Sequence, residues 1–201
     1  GFAWTKSGLS HAAGVSPSVI DGLLHQEVLE VVSLPAAPPP PPPQLDFAPP
    51  ELTPAQRIAA DGLIESFDKG GAVALIDGVT GSGKTEVYFE AVAEALRREK
   101  QVLVLLPEIA LTEQFLRRFE KRFGVYPAEW HSEVTPKNRA RTWRNVASGA
   151  ARVVIGARSA LFLPYLELGL IVVDEEHDSA FKQDDRVPYS ARDMAVVRGH
   201  L

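Results

Sequence analysis

The stretch from Gly78 to Thr85, Gly-Val-Thr-Gly-Ser-Gly-Lys-Thr, constrains the fold more than any other part of the chain. It fits the phosphate-binding pattern G-x-x-x-x-G-K-[ST]. Glycines let the backbone turn so that successive N–H groups point at phosphate oxygens, and the loop must open into a helix whose N-terminus favours negative charge. Lys84 is then expected to contact the β- and γ-phosphates, and the Thr85 hydroxyl to coordinate Mg²⁺. The sequence therefore predicts a P-loop.

The segments on both sides of this loop have the composition that a P-loop requires. Upstream, residues 72–77 form a short apolar run typical of a buried strand. Downstream, apolar residues between Val87 and Leu96 recur at helical spacing, with charged residues on the opposite side. A strand, a glycine loop and a helix in this order predict an α/β domain. The residues expected to bind the nucleotide at this loop are Gly78, Thr80, Gly81, Ser82, Gly83, Lys84, Thr85 and Glu86.

The composition excludes several classes of protein. Apolar residues make up 45% of the 201 residues, enough for a packed core, and there is no cysteine. Disulfides and cysteine-based zinc sites are therefore excluded, and we expect no zinc in this chain. No apolar run of about 18 residues occurs and no signal peptide is recognisable, so we expect no membrane association. The first residue is not methionine, so we expect the chain to be a fragment.

The charge of the chain is uneven. A net charge of −5 argues against a generally basic nucleic-acid-binding protein. Residues 117–144, however, hold eight Lys or Arg against three Glu, a local charge of +5 that could meet a phosphate backbone. The alternative is a solvated helix face. The basic residues are Arg117, Arg118, Lys121, Arg122, Lys137, Arg139, Arg141 and Arg144.

Residues 1–34 are predicted to form a small separate unit. Residues 6–13 favour a short helix, and Ser16 and Pro17 favour the cap and first residue of a second helix. Residues 28–32 are typical of a strand. Helix, turn, helix and strand predict the later part of a winged-helix domain. Because the second helix lacks Lys and Arg, we expect this unit to be structural or to contact protein, the alternative being a DNA reader.

Residues 35–50 are predicted to form a linker between this unit and the main domain. Pro38 to Pro43 are six consecutive prolines, which favour a stiff polyproline II spacer. A ligand for a proline-binding domain is the alternative. Beyond the linker, Thr53 is expected to cap a helix that contains Gln56 near its start. The Gln56 side chain has the donor and acceptor that suit an adenine edge, or it is merely an exposed glutamine at a helix start.

Residues 51–201 are predicted to form the main domain. The apolar run at residues 101–106 is typical of a parallel strand covered on both faces. Residues 153–155 and 170–173 are predicted to be further short strands, and helical segments separate the three. This alternation predicts a mainly parallel sheet with right-handed crossovers. Ligands bind such sheets beyond the carboxyl ends of the strands. The segments expected at that edge are the P-loop and residues 107–108, 156–159 and 174–177.

An Asp-Glu pair after an apolar strand is what a nucleotide hydrolase needs opposite its P-loop. Asp174 is expected to hold Mg²⁺, directly or through water, and Glu175 to orient and activate the attacking water. With Lys84, these carboxylates are the predicted catalytic residues. An acidic loop without function is disfavoured because the P-loop independently demands such a group. His177 could couple the nucleotide to other motifs, or be merely polar and exposed.

Taken together, these motifs resemble those of the superfamily 2 DNA helicases, and more closely the bacterial primosomal replication-restart helicases. The resemblance covers most of residues 51–201, and its Asp-Glu-Glu-His-Asp stretch is rather specific. It implies that residues 51–201 are the first RecA-like lobe of an ATP-dependent 3′-to-5′ DNA helicase that uses ATP and Mg²⁺. Residues 1–34 would end the preceding winged-helix domain. The stretches that carry the resemblance are residues 78–86, 107–112, 131–132, 156–162, 174–178 and 189–193.

The resemblance also implies roles for individual residues. Gln56 resembles the adenine-contacting glutamine, and residues 107–112 and 156–159 resemble motifs that touch the DNA backbone. Residues 181–189 stand where the family has an aromatic loop that couples DNA to hydrolysis. Arg186-Val-Pro188 supplies no aromatic there, and core packing of Phe181 is the alternative to stacking on DNA. The implied DNA contacts are Pro107, Thr112, Arg158, Ser159, Phe181 and Tyr189, with His177 as the coupling residue.

Partners and alternatives follow from the same resemblance. It implies single-stranded and forked DNA, primosome proteins and single-strand-binding proteins as partners in the bacterial cytoplasm, near the nucleoid. In the family a second lobe supplies an arginine to the ATP site and carries a zinc insertion, so this chain alone is expected to be a poor ATPase. Two other functions stay open: another P-loop ATPase motor, and a nucleotide-sensing binding module. Glu175 argues against the sensor, which needs no hydrolytic carboxylate.

Overall fold

The computed structural model describes residues 3–32, 38–69, 72–185 and 187–200. These residues belong to two compact units, one up to Pro38 and one from Pro39 onwards. Residues 33–37, where the terminal unit was predicted to meet the linker, lie outside the described residues. Arg186 of the predicted aromatic loop also lies outside them.

The first unit contains two short helices, α1 (Lys6–Ala13) and α2 (Pro17–His25), as the sequence predicts. The Thr5 side chain accepts a hydrogen bond from the N–H of Gly8 and so caps α1. The strand predicted over residues 28–32 is wrong, because these residues form a bend followed by irregular backbone. A strand is stable only when it pairs with another, and the described part of this unit offers no partner. The winged-helix assignment stays a prediction.

The second unit is built on a four-stranded parallel sheet. Its strands are β1 (Gln101–Leu105), β2 (Ala128–Trp130), β3 (Val153–Gly156) and β4 (Leu168–Val173), and their spatial order is β2-β3-β1-β4. In register, Leu105 of β1 lies opposite Gly156 of β3 and Val173 of β4. The carboxyl ends of three strands therefore meet at one edge, and the predicted α/β fold with a mainly parallel sheet is confirmed.

Helices cover both faces of this sheet. They are α3 (Pro54–Ser66), α4 (Lys84–Arg97), α5 (Glu113–Phe123), α6 (Pro136–Ala147) and α7 (Ala191–Gly199), and a small antiparallel hairpin joins β5 (Lys182–Gln183) to β6 (Tyr189–Ser190). One apolar cluster lies between the sheet and the helices α4 and α5. Its centre is Phe89, whose ring meets those of Phe119 and Phe123 edge to face at 5.8 and 5.6 Å. A second cluster on the other face includes residues of α6 and α7.

The strand predicted over residues 72–77, before the P-loop, is wrong. The structure describes irregular backbone there, with Val73 and Leu75 exposed to 66% and 79%, while Ile76 packs against the first apolar cluster. An apolar run becomes a strand only when it pairs with a sheet edge, and its composition does not specify that partner. Conversely, β2 was not predicted, since three residues with a central Glu129 carry no apolar pattern.

The proline run differs from a free spacer. Pro40 and Pro43 are half-buried, three residues apart as the period of polyproline II requires, and they line a shallow depression with Phe119 and Val125. The chain then continues along the same unit, because the N–H of Gln44 donates to the carbonyl of Phe123 at 2.8 Å. This part of the predicted linker therefore packs against the second unit. No helix in the described ranges is long and apolar enough to cross a membrane.

Candidate nucleotide site at the carboxyl edge of the sheet

The P-loop opens directly into a helix, as predicted. Helix α4 begins at Lys84, and Gly83 precedes it with a φ of 82°. Gly81 has a φ of 80°, so both glycines adopt a backbone conformation that other residues rarely take. A Cβ atom added at Gly78 would lie 2.8 Å from Ser82 Oγ, which shows how tightly the loop closes on itself. Among the described residues no side chain caps α4, so the N–H groups of its first residues remain available to a ligand.

Lys84 lies folded back over this loop. Its Nζ atom donates to the carbonyl oxygen of Gly78 at 2.7 Å and to that of Val79 at 3.4 Å. An ammonium group beside an uncapped helix N-terminus forms a positive cradle for an anion. The residues present therefore fit the phosphates of a nucleotide, as the loop pattern predicts.

Gln56 is brought to the P-loop from the start of α3. Its Nε2 donates to the carbonyl of Ser82 at 2.8 Å, across 26 residues of sequence. Its Oε1 accepts from the N–H of Thr53 at 2.8 Å, while the N–H of Gln56 donates back to Thr53 Oγ1 at 3.3 Å, a capping box. Gln56 therefore lies beside the P-loop. The adenine contact itself stays a prediction.

Asp174 follows β4 at the same edge. Its N–H donates to the carbonyl of Leu105 at 3.0 Å, which extends the pairing of β4 with β1 by one residue. Its Oδ1 accepts from the N–H of Glu175 at 3.0 Å, and its Oδ2 accepts from the hydroxyl of Tyr88 at 2.8 Å. The last contact joins the acid after β4 to the helix that begins in the P-loop. The two motifs predicted to act together are therefore linked physically.

Tyr88 is a site residue that the sequence did not predict. Burial, together with the nearby carboxylate of Asp174, raises the pKa of the Tyr88 hydroxyl well above its usual value. The hydroxyl therefore stays protonated and can donate at any ordinary pH. A signal for this role existed, because Tyr88 lies one helical turn after Lys84, and a buried tyrosine hydroxyl usually has a polar partner. The prediction counted it only as part of the apolar face.

Glu175 and Glu86 differ in their surroundings. Glu175 is exposed and has a φ of 52°, a left-handed conformation that is strained for a residue with a side chain. The exposed ring of His177 lies 3.7 Å from the carboxylate of Glu175, so the predicted coupling residue is beside the predicted base. Glu86, in the first turn of α4, accepts a hydrogen bond from Arg118 of α5 at 2.8 Å.

The residues predicted to contact DNA follow β1 and β3 at this edge. Thr112 caps α5, because its Oγ1 accepts from the N–H of Phe115 at 3.3 Å. The guanidinium of Arg158 donates to the carbonyls of Ala180 and Lys182 at 3.2 and 2.8 Å. Arg158 therefore holds the start of the predicted aromatic loop.

Ser159 and Pro107 complete this edge. Ser159 Oγ accepts from the indole N–H of Trp130 at 3.2 Å and so contacts the end of β2. Pro107 precedes a 3-10 turn, Glu108–Ala110, on the path from β1 to α5. All the residues predicted to contact DNA on these two segments thus lie beyond the carboxyl ends of strands. Their contact with DNA stays a prediction.

The two aromatic residues predicted to stack on DNA are placed differently. Phe181 is only 2% exposed and lies in the second apolar cluster, so the structure favours the alternative of core packing. Its ring has no free face for a base. Tyr189 is half-buried, and its ring meets that of Phe162 edge to face at 5.2 Å. Phe162 is an exposed aromatic at this site that the sequence did not single out as a contact.

The fold and this site define a P-loop nucleotide-binding lobe with an Asp-Glu pair beside the loop. The family model described as DEAD/DEAH box helicase matches residues 53–197. The chain belongs to the DEAD/DEAH box helicase family. Members of this family in general use ATP and Mg²⁺.

Comparison with curated relatives shows which helicases of this family the chain resembles. The chain is 51% identical over 154 residues to the replication restart protein PriA of Rickettsia conorii, which covers 77% of this chain and 23% of that protein. It is 43% identical over 200 residues to PriA of Chlamydia pneumoniae, an alignment that covers 97% of this chain and 27% of that protein. It is 42% identical over 151 residues to PriA of Bacillus subtilis, with 75% of this chain and 19% of that protein covered. The predicted resemblance to replication-restart helicases is confirmed. The chain spans about a quarter of the length of these relatives.

Proposed function

We propose that this chain is the ATP-binding lobe of a PriA-type helicase, an ATP-dependent 3′-to-5′ DNA helicase that acts in replication restart. The observation that carries the proposal is the hydrogen bond of 2.8 Å between Tyr88 and Asp174. It fixes the acidic pair after β4 against the first turns of the P-loop helix. Nucleotide hydrolysis needs these two elements side by side.

Each group at the edge has a chemical role in this proposal. Lys84 and the N–H groups at the start of α4 bind the phosphates, and the Thr85 hydroxyl and Asp174 carboxylate hold Mg²⁺. Bound Mg²⁺ neutralises charge on the transferring phosphoryl group. Glu175 accepts a proton from the attacking water, which its exposed carboxylate can reach. Gln56, already at the loop, contacts the adenine.

The proposal extends to DNA and to partners. Pro107, Thr112, Arg158 and Ser159 lie beyond strand ends at the edge that carries the nucleotide site, so DNA bound there would lie next to the hydrolytic groups. We expect single-stranded and forked DNA to be the substrate. By resemblance, primosome and single-strand-binding proteins are the partners, and the bacterial cytoplasm is the compartment.

Steady-state ATP hydrolysis by the full-length protein, with and without single-stranded DNA, tests the proposal. We expect DNA to stimulate turnover, and Lys84→Ala to abolish it while the circular dichroism spectrum stays unchanged. Lys100→Ala is the matched control, since Lys100 is a half-buried lysine paired with Glu167 at 2.7 Å, away from the loop. Turnover that ignores DNA would favour another P-loop motor. Nucleotide binding without any turnover would favour the sensing module.

A further inference from the structure

Helix α6 carries a row of cations on its solvent face. Lys137, Arg141 and Arg144 follow one another at i, i+4 and i+7, the spacing that places side chains on one face of a helix, and all three are exposed. The opposite face is buried through Thr142 and Val146. From Pro136 to Ala147 the helix contains no acidic residue. We call Lys137, Arg141 and Arg144 the α6 stripe.

The α6 stripe differs from the other basic surface of the same region, on α5. Three of the four cations on α5 have a carboxylate partner, whereas within the described ranges no carboxylate lies within 4.0 Å of the nitrogens of the α6 stripe. The local positive charge of residues 117–144 is therefore concentrated on α6. The partnered cations of α5 are Arg117 with Glu113 at 2.9 Å, Arg118 with Glu86 at 2.8 Å and Arg122 with Glu90 at 3.1 Å.

The arrangement of the α6 stripe is unfavourable for the helix itself. Like charges at i, i+3 and i, i+4 repel each other on a helix surface. In addition, Lys137 stands in the first turn, where the helix dipole disfavours a cation. A solvated helix face usually mixes both signs of charge. An anionic partner would relieve the repulsion that this helix otherwise bears alone.

The first turn of α6 also adjoins the edge of the sheet proposed to bind DNA. The guanidinium of Arg139 stacks over the ring of Trp130 at 5.2 Å, and its Nε is buried with no hydrogen-bond partner among the described residues. The indole of Trp130 in turn donates to Ser159 Oγ at 3.2 Å. A chain of direct contacts therefore leads from the segment of Arg158 and Ser159 to α6, and the α6 stripe continues away from that edge.

We propose that the α6 stripe is a second nucleic-acid contact, which binds the phosphate backbone of DNA as it passes beyond the carboxyl edge of the sheet. A rise of about 1.5 Å per residue spaces the three cations over about 10 Å, the length of about three phosphates of one strand at about 3.4 Å each. The partner is recognised by charge and not by base sequence. This inference rests on the proposed binding of DNA by this lobe.

The test is the salt dependence of DNA binding by the full-length protein, measured by fluorescence anisotropy between 50 and 200 mM salt. The variant Lys137→Gln/Arg141→Gln/Arg144→Gln removes the stripe with side chains that still favour a helix. The control Arg98→Gln/Lys100→Gln/Arg117→Gln removes the same charge from cations that have carboxylate partners. Separate arms use a single strand and a blunt duplex.

We expect the stripe variant to bind DNA less tightly than the parent. The slope of log K against log salt should become shallower by about two on single strands, or by about three on duplex. The control variant should keep the slope of the parent. The parent then loses about 20-fold more affinity than the variant across this salt range on single strands, or about 40-fold more on duplex. The arm with the larger change identifies the form of DNA bound. Thermal unfolding should show the variant at least as stable as the parent, because the repulsion is relieved.

Four outcomes would overturn the inference. Equal slopes for parent and stripe variant, with DNA-stimulated turnover intact, would reject the α6 contact while the proposed function stands. Equal loss of slope in both triple variants would leave only general attraction by net charge. If the parent bound a polyglutamate peptide and the stripe variant did not, while both bound DNA equally, the α6 stripe would be a site for an acidic protein. If the parent binds no DNA, the proposed function fails together with this inference.

Discussion

Removing one hydroxyl group tests whether the contact between the P-loop helix and the acidic pair matters. Tyr88→Phe deletes the donor to Asp174 Oδ2 and keeps the buried ring, which meets Phe89 edge to face at 5.3 Å. The backbone of α4 and the apolar cluster around it should therefore stay in place. What changes is the orientation of Asp174, whose other oxygen accepts, among the described residues, only from the N–H of Glu175.

The size of the effect follows from the surroundings of the two groups. A hydrogen bond to a charged group contributes about 1.5–3 kcal/mol, and the low end applies here because Asp174 is half-buried and water can replace the lost donor. The phenylalanine itself adds no polar group that needs a partner. We therefore expect a loss of about 1.5 kcal/mol in the free energy of unfolding. For a chain of this size that corresponds to about 3–6 °C in Tm.

The assay combines thermal unfolding of this chain with ATP hydrolysis by the full-length protein at several Mg²⁺ concentrations. We expect Tyr88→Phe to raise the Mg²⁺ concentration needed for half-maximal turnover, because a poorly oriented Asp174 holds the ion less well. Tyr126→Phe is the matched control. It removes the same atom from a hydrogen bond of 2.7 Å to another carboxylate, that of Glu113, at an exposed site. The control should lose about 1 kcal/mol or less and keep its Mg²⁺ dependence.

Two results would refute this reasoning. If Tyr88→Phe and Tyr126→Phe changed the Mg²⁺ dependence equally, the contact with Asp174 would have no special role in the site. If Tyr88→Phe lost stability but kept the Mg²⁺ dependence of the parent, Tyr88 would be a packing residue that does not orient the acid.

Three further predictions concern single groups. Glu175→Gln should keep nucleotide affinity and lower the hydrolysis rate by about 10²–10⁴-fold in single-turnover assays, since it removes the base but keeps the backbone shape. An equal loss of affinity would make Glu175 a structural residue. Arg158→Ala should lower the salt slope of single-strand binding by about one, and an unchanged slope would leave Arg158 only its contacts with Ala180 and Lys182. Partial burial and the hydrogen bond to Glu113 raise the pKa of Tyr126 to about 12. The unfolded chain loses this proton near pH 10, so the contribution of Tyr126 to stability is complete below pH 10 and disappears towards pH 12. When denaturant unfolding is followed over this range, Tyr126→Phe should lose less stability than the parent.

Most of the fold could be predicted because its signals are local. The apolar runs of β1 and β3 are buried on both faces, and such runs are typical of central parallel strands. The P-loop pattern specifies both a backbone turn and the start of α4. Since the carboxyl ends of parallel strands share one edge, the placement of Asp174 near the loop also followed from the sequence.

What the sequence could not predict depends on pairing and on partners. Residues 72–77 have the composition of a strand, but whether they pair is decided by a sheet edge far away in the chain. The half-buried Pro40 and Pro43 depend on a surface formed by α5 and β3. The same holds for Phe181, since an aromatic residue in a loop packs inward or outward according to a pocket that its own sequence does not reveal.

The groups predicted to meet ligands already have partners within the chain. Lys84 donates to the carbonyl of Gly78, and Gln56 donates to that of Ser82, so a nucleotide must exchange these hydrogen bonds for its own. The exchange favours the nucleotide at Lys84, because the bond to the Gly78 carbonyl has one charged partner, whereas a bond to phosphate has two and adds their Coulomb attraction. At Gln56 both bonds are neutral, so adenine gains little there beyond orientation. Arg158 has five donors, and Nη1 alone serves the two carbonyls that it holds, which leaves donors for a phosphate. Its structural contacts and its proposed contact with DNA are therefore compatible, and DNA bound there would act on the same segment that Arg158 holds in place.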